Sequence, residues 1–444
     1  MSHLITETCT RSKNEFTTAP TLRTMRLSRV VAVGAISALL VGGADARALL
    51  GAEQGVAESA ESETTQSRVD RFVASETDAI VETFASWMTA HEKTYATAEE
   101  QLRRMAIYAD NKLFVQKHNA EHLDGQHGHW LAVNHLADLT RDEFSEMLGY
   151  NASLRTTVKR LTDPLTWEYA NVDAPHEKDW VTDGAVTNVK NQGQCGSCWA
   201  FSTTGSVEGI NFIKTGELVS VSEEELVSCS KTNGNAGCNG GLMDNALEWI
   251  VANKGIDSEQ DWPYQPKEGN CGWFAKHFKK AVRIDGFADV PPNDEVALQK
   301  AVAMQPVSVA IEADHRSFQL YGGGVYDASD CGTSLDHGVL VVGYGVDDDA
   351  TGHKHFWKVK NSWGDGWGEH GFIRLAKGGM GKAGQCGVAS EPVYPTKDGD
   401  DSKSGTFFDG LAQIASEIKG QVTRAGREGS RLGAEDGRLN IATQ

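Results

Sequence analysis

Residues Gln192–Ser202 read Gln-Gly-Gln-Cys-Gly-Ser-Cys-Trp-Ala-Phe-Ser, and the rest of the chain serves this stretch. Glycines and a serine stand just before Cys198, and an apolar run suited to a helix follows it. A helix starting at Cys198 places the sulfur at the positive end of the helix dipole, which favours thiolate over thiol. Ser197 is placed to cap that helix, which should run to about Lys214 and stop at Gly216. Such a thiol is a nucleophile candidate. It needs a base in hydrogen-bond reach, a third group to orient the base, and donors for a developing oxyanion.

Candidates for each lie on either side of it. His337, in Leu335-Asp336-His337-Gly338, opens an apolar strand, a rigid place for a base. Asn361, in Lys360-Asn361-Ser362-Trp363-Gly364, ends another strand before an indole and a glycine. The Gln192 amide can donate to an oxyanion beside the backbone N–H of Cys198. Around them, Ala174–Pro395 is helical first: Ser222-Glu223-Glu224-Glu225 has capping-box form, and Leu242–Lys254 ends at Gly255. It is strand-like afterwards, in Val307–Ile311, Val339–Tyr344, Phe356–Asn361 and Gly371–Leu375. Helices then strands predict an α+β architecture in two lobes, with the site in the cleft.

The 444 residues exceed one ordinary domain, and 40% hydrophobic content excludes a wholly disordered chain. A net charge of −19 argues against nucleic acid or anionic membrane as main partners. Cysteines occur at 9, 195, 198, 229, 238, 271, 331 and 386. In an oxidising compartment the seven from 195 onward suggest three bridges and one free thiol, with fifteen pairings open for six cysteines. A redox or zinc role for Cys195-x-x-Cys198 lacks a second Cys-x-x-Cys to complete it.

Towards the amino terminus, Val30–Gly43 is an apolar run after Arg23, Arg26 and Arg29 and before Ala44-Asp45-Ala46. This is the layout of a secretory signal peptide over 1–46, with translation from Met25 as one reading and an uncleaved anchor as the alternative. Residues 47–77 read as a linker. Ile80, Phe84, Trp87, Met88 and His91 then recur at helical spacing, and a second such segment runs from Glu99 to Asn119. The extension 396–444 carries a helical stripe, Phe407, Leu411, Ile414, Ile418 and Val422, ahead of Arg424, Arg427 and Arg431. It reads as a weak tail helix interrupted by Gly410 and Gly420, or as an amphipathic docking segment.

These residues together resemble the papain family of cysteine peptidases, and its cathepsin L-like group. The family's Cys-Gly-Ser-Cys-Trp signature is followed by histidine and asparagine roughly 130–150 residues on. His337 falls inside that window. Asn361 lies a little beyond it, as an Asp/Gly-rich turn at Val346–Lys354 between two strands would explain. The resemblance implies a papain-like fold, a helical lobe plus a β-barrel-like lobe over 174–395, preceded by a small helical inhibitory propeptide over 78–173. It implies that Cys198 is the nucleophile, His337 its imidazolium partner and Asn361 the residue orienting the ring. Trp363 shields that bond, Gln192 serves the oxyanion, and Asp336 tunes the pair. It implies bridges Cys195–Cys238, Cys229–Cys271 and Cys331–Cys386.

The same resemblance makes Gly240 and Gly241 the place where substrate backbone approaches. Leu242, Met243, Ala310, Leu335 and Gly338 become walls of the S2 pocket, with Glu391 at its floor. A carboxylate there would pair with arginine at P2, the second residue before the cleaved bond; otherwise Glu391 points to solvent. Glu100, Arg104, Tyr108, Asn111, Val115 and Asn119 fit the propeptide pattern, and Ala132–Asp138 resembles its second motif. The implied product is an endopeptidase zymogen, released when acid protonates carboxylates that hold the propeptide, with processing near Ala174. Asn151-Ala152-Ser153 is a glycosylation sequon in the part to be removed. Protein and peptide substrates, the propeptide as intramolecular inhibitor, a monomeric state, no cofactor and no metal complete the expectation. The location implied is the secretory pathway: lysosome, vacuole or outside the cell. A catalytically restrained binding or inhibitor-like homologue is the alternative; such chains usually lose the nucleophile or the base, and both are here.

Overall fold

The computed structural model describes residues 79–155, 167–274, 280–349, 352–379 and 381–398. The signal-like stretch, the linker and the stripe at Phe407–Val422 lie outside these residues. The described residues fall into two compact units, one of those up to 114 with 137–139, the other of 115–136 with those from 140 onward.

In the first unit, helix α1 covers 79–90 and helix α2 begins at Ala98 in Ala98–Leu123. The apolar spacing seen in the sequence brings Phe84 and Trp87 to bear on Tyr108, each ring centroid 5.2 Å from the tyrosine. The polar positions of α2 bind the short segment 137–139. Glu100 holds Arg104 at 2.6 Å, and Arg104 donates to the Asp138 carbonyl at 2.8 Å. Asn111, buried, donates to the carbonyls of Ala137 and Leu139. Asp138 in turn takes Lys93 and Tyr95. Each buried polar group here has its partner, which burial requires.

In the second unit the last turns of α2 carry Asn119, whose amide exchanges two 2.8 Å bonds with the backbone of Leu131 in strand β1 (His129–Leu131). Strand β1 runs antiparallel to β5 (Tyr321–Tyr326). Helix α3 (Arg141–Ser145) has a full capping box at Thr140 and Glu143. Strand β2 is Lys178–Asp179. Helices α4 (Cys198–Thr215), α5 (Glu223–Cys229) and α6 (Met243–Ala252) make the helical lobe. Strands β3 (Gly286–Asp289), β4 (Val307–Ile311), β6 (His337–Asp349), β7 (Gly352–Lys360), β8 (Phe372–Ala376) and β9 (Val393–Thr396) complete the sheet. Its order is β1-β5-β8-β7-β6-β4-β9-β3, with β2 on β6. The fold is the α+β arrangement expected, a helical lobe beside a sheet-built lobe. Helix α4 is buried along most of its length and docks on β6, where Ser202 Oγ donates to the Val339 carbonyl at 2.6 Å. Disulfides join Cys195–Cys238, Cys229–Cys271 and Cys331–Cys386.

Three local expectations change. Ser197 makes no side-chain cap; its hydroxyl bonds Tyr264 Oη at 2.7 Å, and Tyr264 also donates to the Gln192 carbonyl. The serine therefore braces the loop before α4 instead of its first turn. Within the Asp/Gly-rich stretch, expected as a turn, Val346–Asp349 and Gly352–Lys354 continue the ladder, with register running from Leu340↔Lys360 to Asp349↔Gly352. Polar side chains suit an outer hairpin whose backbone bonds are satisfied by the partner strand. Glu223, Glu224 and Glu225 are buried. Ser222 Oγ does accept from Glu225 N at 3.0 Å, but Lys190 and Lys280 neutralise Glu223 and Glu225, because a buried charge is tolerated only when paired.

Candidate active site

Cys198 opens α4, fully buried, and is the free cysteine among the described residues. Its Sγ accepts two backbone N–H groups, from Gly149 at 3.2 Å and Gly338 at 3.3 Å. Gly338 suits a tight contact: a Cβ there would press on Trp199 Cα at 3.1 Å and Met243 Sδ at 3.2 Å. One residue earlier, His337 begins β6, and β6 packs on α4, so the imidazole and the thiol come from facing lobes.

Nε2 of His337 lies 2.9 Å from Asn361 Oδ1, immediately after β7 ends. An N–H donated there leaves Nδ1 as acceptor, and that atom has no partner among the described residues. Trp363 stacks on the imidazole at 4.6 Å and is itself fully buried under Phe144, Phe318 and Trp367.

Burial decides the protonation of the pair. It pushes the Cys198 thiol up to about 11, against the N–H groups of Gly338, Gly149 and Trp199, which pull down. It pushes His337 down to about 4, against the Asn361 bond. Burial in this covered state thus favours thiol and neutral imidazole, opposing the thiolate preference expected from the helix start. The helix start acts in the expected direction, but desolvation outweighs it. Asp336 is likewise pushed up to about 7 by burial, and its Oδ1 accepts from Ala313 N.

What covers the site is residues 147–155. The Gln192 amide donates to the Met147 carbonyl at 2.8 Å as well as to Cys195 O, and Ser362 holds its Oε1 at 2.6 Å. Tyr150 pairs in parallel with Gly241; Gly241 N donates to Gly149 O at 2.9 Å and Asn151 N to Gly241 O at 3.2 Å. Gly240, at φ 107°, precedes that pairing. The Tyr150 ring is buried in the cluster that contains Leu242, Met243 and Ala310, with Leu335 packed against it. Its hydroxyl donates to Glu391 Oε2, a carboxylate that is 26% exposed. Asn151 spends its side-chain oxygen on Ser153 N and Oγ. Met147, Gly149, Tyr150, Arg155 and Asp244 carry contacts the sequence reading did not single out. The available signal was Gly-Tyr placed shortly after the second propeptide motif.

Two groups could offer three metal-ligand atoms among the described residues, His118/Glu121/His127 and Glu312/Asp314/His315. The rings of His118 and His127 stack face to face at 4.1 Å, an arrangement unlike shared coordination, and neither group touches Cys198.

A buried free thiol with a chain segment bound over it, and an imidazole bonded to a carboxamide, are the parts of a cysteine-type endopeptidase in its covered form. Residues 174–396 match the papain family cysteine protease domain, and residues 84–144 match the cathepsin propeptide inhibitor domain. The chain belongs to the papain family of cysteine proteases and is its zymogen form. It is 47% identical to cathepsin L of Sarcophaga peregrina over 72% of this chain and 94% of that protein. It is 50% identical to cysteine protease 1 of rice over 68% of this chain, a match that spans 61% of the rice protein. Among solved structures, a digestive procathepsin L 3 of Tenebrio molitor larval midgut superposes with a TM-score of 0.63 at 36% identity. That match covers 71% of this chain and 99% of the other. Residues 145–173, which include the segment lying over Cys198, fall between the two matched domains.

Proposed function

We propose that the chain is a cysteine endopeptidase zymogen in which Cys198 attacks the peptide carbonyl. His337 accepts the thiol proton and later protonates the leaving amine, and Asn361 and Trp363 hold the ring. Gln192 and the Cys198 N–H stabilise the oxyanion. The observation that carries this reading is the Gln192 amide bound to the Met147 carbonyl, 2.8 Å away, while Gly149 N–H sits on Sγ. A peptide carbonyl already occupies the donor that an oxyanion would need. Its substrates are proteins and peptides, it acts as a monomer without nucleic acid, and its route is the secretory pathway to lysosome, vacuole or exterior. Among the described residues no helix is long and apolar enough to cross a membrane.

The P2 preference is for apolar and aromatic side chains, with arginine also accepted. Tyr150 supports both halves, since its ring lies among Leu242, Met243 and Ala310 and its hydroxyl reaches Glu391. Hydrolysis of Arg-Arg relative to Phe-Arg substrates should fall about tenfold in Glu391→Ala, the scale of one charge-assisted hydrogen bond at a partly exposed site. Equal ratios in wild type and variant would remove arginine from the specificity.

Acid releases the cover, but histidines carry more of the effect than the carboxylates expected from sequence. His129 in β1 has its ring buried, Nδ1 3.2 Å from Asp327 Oδ1 and its centroid 4.5 Å from Tyr326. His118 stacks on His127 and stands 4.7 Å from His129, with Glu121, His122, Tyr321 and, beyond Asp327, Lys354 around them. Burial lowers His118 to about 4 and lowers His129 as well. A ring whose docked pKa is below its free value of 6.5 stabilises docking above that value, and the contribution is lost as pH falls towards the docked value. Burial alone would raise Asp327, but His129, Gly128 N–H and Lys354 hold it below the usual carboxylate range. It therefore stays charged through the same window. Latency should be lost between about pH 6.5 and about pH 4. His129→Gln should move the activation midpoint to lower pH in an autoprocessing assay, and an unmoved midpoint would exclude the ring as the trigger.

A further inference from the structure

The pocket that Tyr150 fills has a second carboxylate at its outer end. Asp244 lies in the first turn of α6, one residue after the pocket wall Met243. Arg155 spans the gap between it and Glu391: Nη1 donates to Asp244 Oδ2 at 2.5 Å and Nη2 to Glu391 Oε2 at 2.5 Å. The same Nη2 stands 3.3 Å from Tyr150 Oη. The three charged side chains are mostly buried, at 18%, 18% and 26% exposure for Arg155, Asp244 and Glu391. Arg155 is the cation paired with Asp244 among the described residues.

We propose that Asp244 is a specificity residue which, with Glu391, forms a two-carboxylate clamp for the guanidinium of a substrate arginine at P2. The inference rests on the proposed peptidase reading and adds a residue to it. An arginine side chain is about as long as that of tyrosine. In the position of Tyr150, its guanidinium would therefore arrive where Tyr150 Oη and Arg155 Nη2 now meet. One planar fork can bond two carboxylates at once, as Arg155 does, whereas an ammonium is a point charge without that geometry. The clamp therefore favours arginine over lysine. In the zymogen Arg155 satisfies it. Once the propeptide leaves, two half-buried carboxylates face each other without that cation, and a basic P2 side chain restores the balance.

The test uses the processed enzyme with paired substrates bearing Arg, Lys, Leu or Phe at P2. Wild type should prefer Arg to Lys. Asp244→Asn should lower kcat/KM for Arg at P2 about tenfold and leave Leu and Phe unchanged, and Asp244→Glu should recover part of the loss. The Leu rate reports intact folding in each variant. An unchanged Arg/Leu ratio in Asp244→Asn overturns the clamp, and so does an equal fall for both substrates, which would assign Asp244 to the helix start alone. A wild-type enzyme that cleaves none of the four would overturn the peptidase reading itself, and the clamp with it.

Discussion

Cys198→Ser in the full chain is expected to abolish both peptide hydrolysis and self-processing, with a loss of about a thousandfold or more. The change replaces one atom, and the hydroxyl can still accept from Gly149 N–H and Gly338 N–H, so the proform should fold and melt as wild type does. What disappears is a nucleophile that can ionise to a thiolate. The same geometry fixes when the thiol is reactive. With burial holding Cys198 near 11 and His337 near 4, the intact proform carries almost no thiolate at neutral pH. An epoxide inactivator should therefore leave the proform unlabelled at neutral pH, label processed wild type stoichiometrically, and never label Cys198→Ser. Self-processing by the serine variant, or prompt labelling of the intact proform, would contradict this assignment.

The parts of this arrangement that were legible in the sequence are those whose chemistry is local. Helix α4 could be read to within a residue because an apolar run begins at Cys198 and Gly216, at φ 80°, ends it. His337 and Asn361 could be placed at the ends of strands because β-branched runs adjoin them. The protonation of the pair was not legible. It depends on burial beneath residues nearly fifty positions upstream, and no pattern around Cys198 carries that information. The same holds for Ser197: its residue type suits a cap, but Tyr264 offers a better-placed partner. The histidines at 118, 127 and 129 form no metal or catalytic motif in the sequence. Only the turn from α2 into β1 brings their rings together. The Asp244–Arg155–Glu391 bridge joins three distant segments; Glu391 was legible from its place after Cys386, but no local pattern marks Arg155 or Asp244 as its partners.

Gly149→Val should destroy latency, raising the neutral-pH activity of freshly made enzyme at least tenfold over wild type. A Cβ on Gly149 would stand 1.8 Å from the Gly196 carbonyl oxygen, 2.3 Å from its carbon and 2.8 Å from its Cα. All three are backbone atoms, so no side-chain rotation relieves the overlap. Nor can the receiving loop retreat, because Cys195 is tied to Cys238 and Gly196 N donates to the Cys238 carbonyl at 3.0 Å. The covering strand has to move instead. Overpacking of this kind costs about 1–3 kcal/mol and more where nothing can yield. Lifting the strand also removes Gly149 N–H from Sγ, the Met147 carbonyl from Gln192 and the pairing of Tyr150 with Gly241. Water then reaches the thiol and the imidazole, and the burial that kept both neutral is gone. Residue 149 precedes the protease domain at 174–396, which separates this effect from damage to the enzyme. After processing, kcat/KM must equal that of wild type, while the lag before activity disappears. Glu146→Ala, an exposed change three residues away, should keep the lag. A Gly149→Val proform that stays silent until acidified would show that residues 147–155 do not close the site.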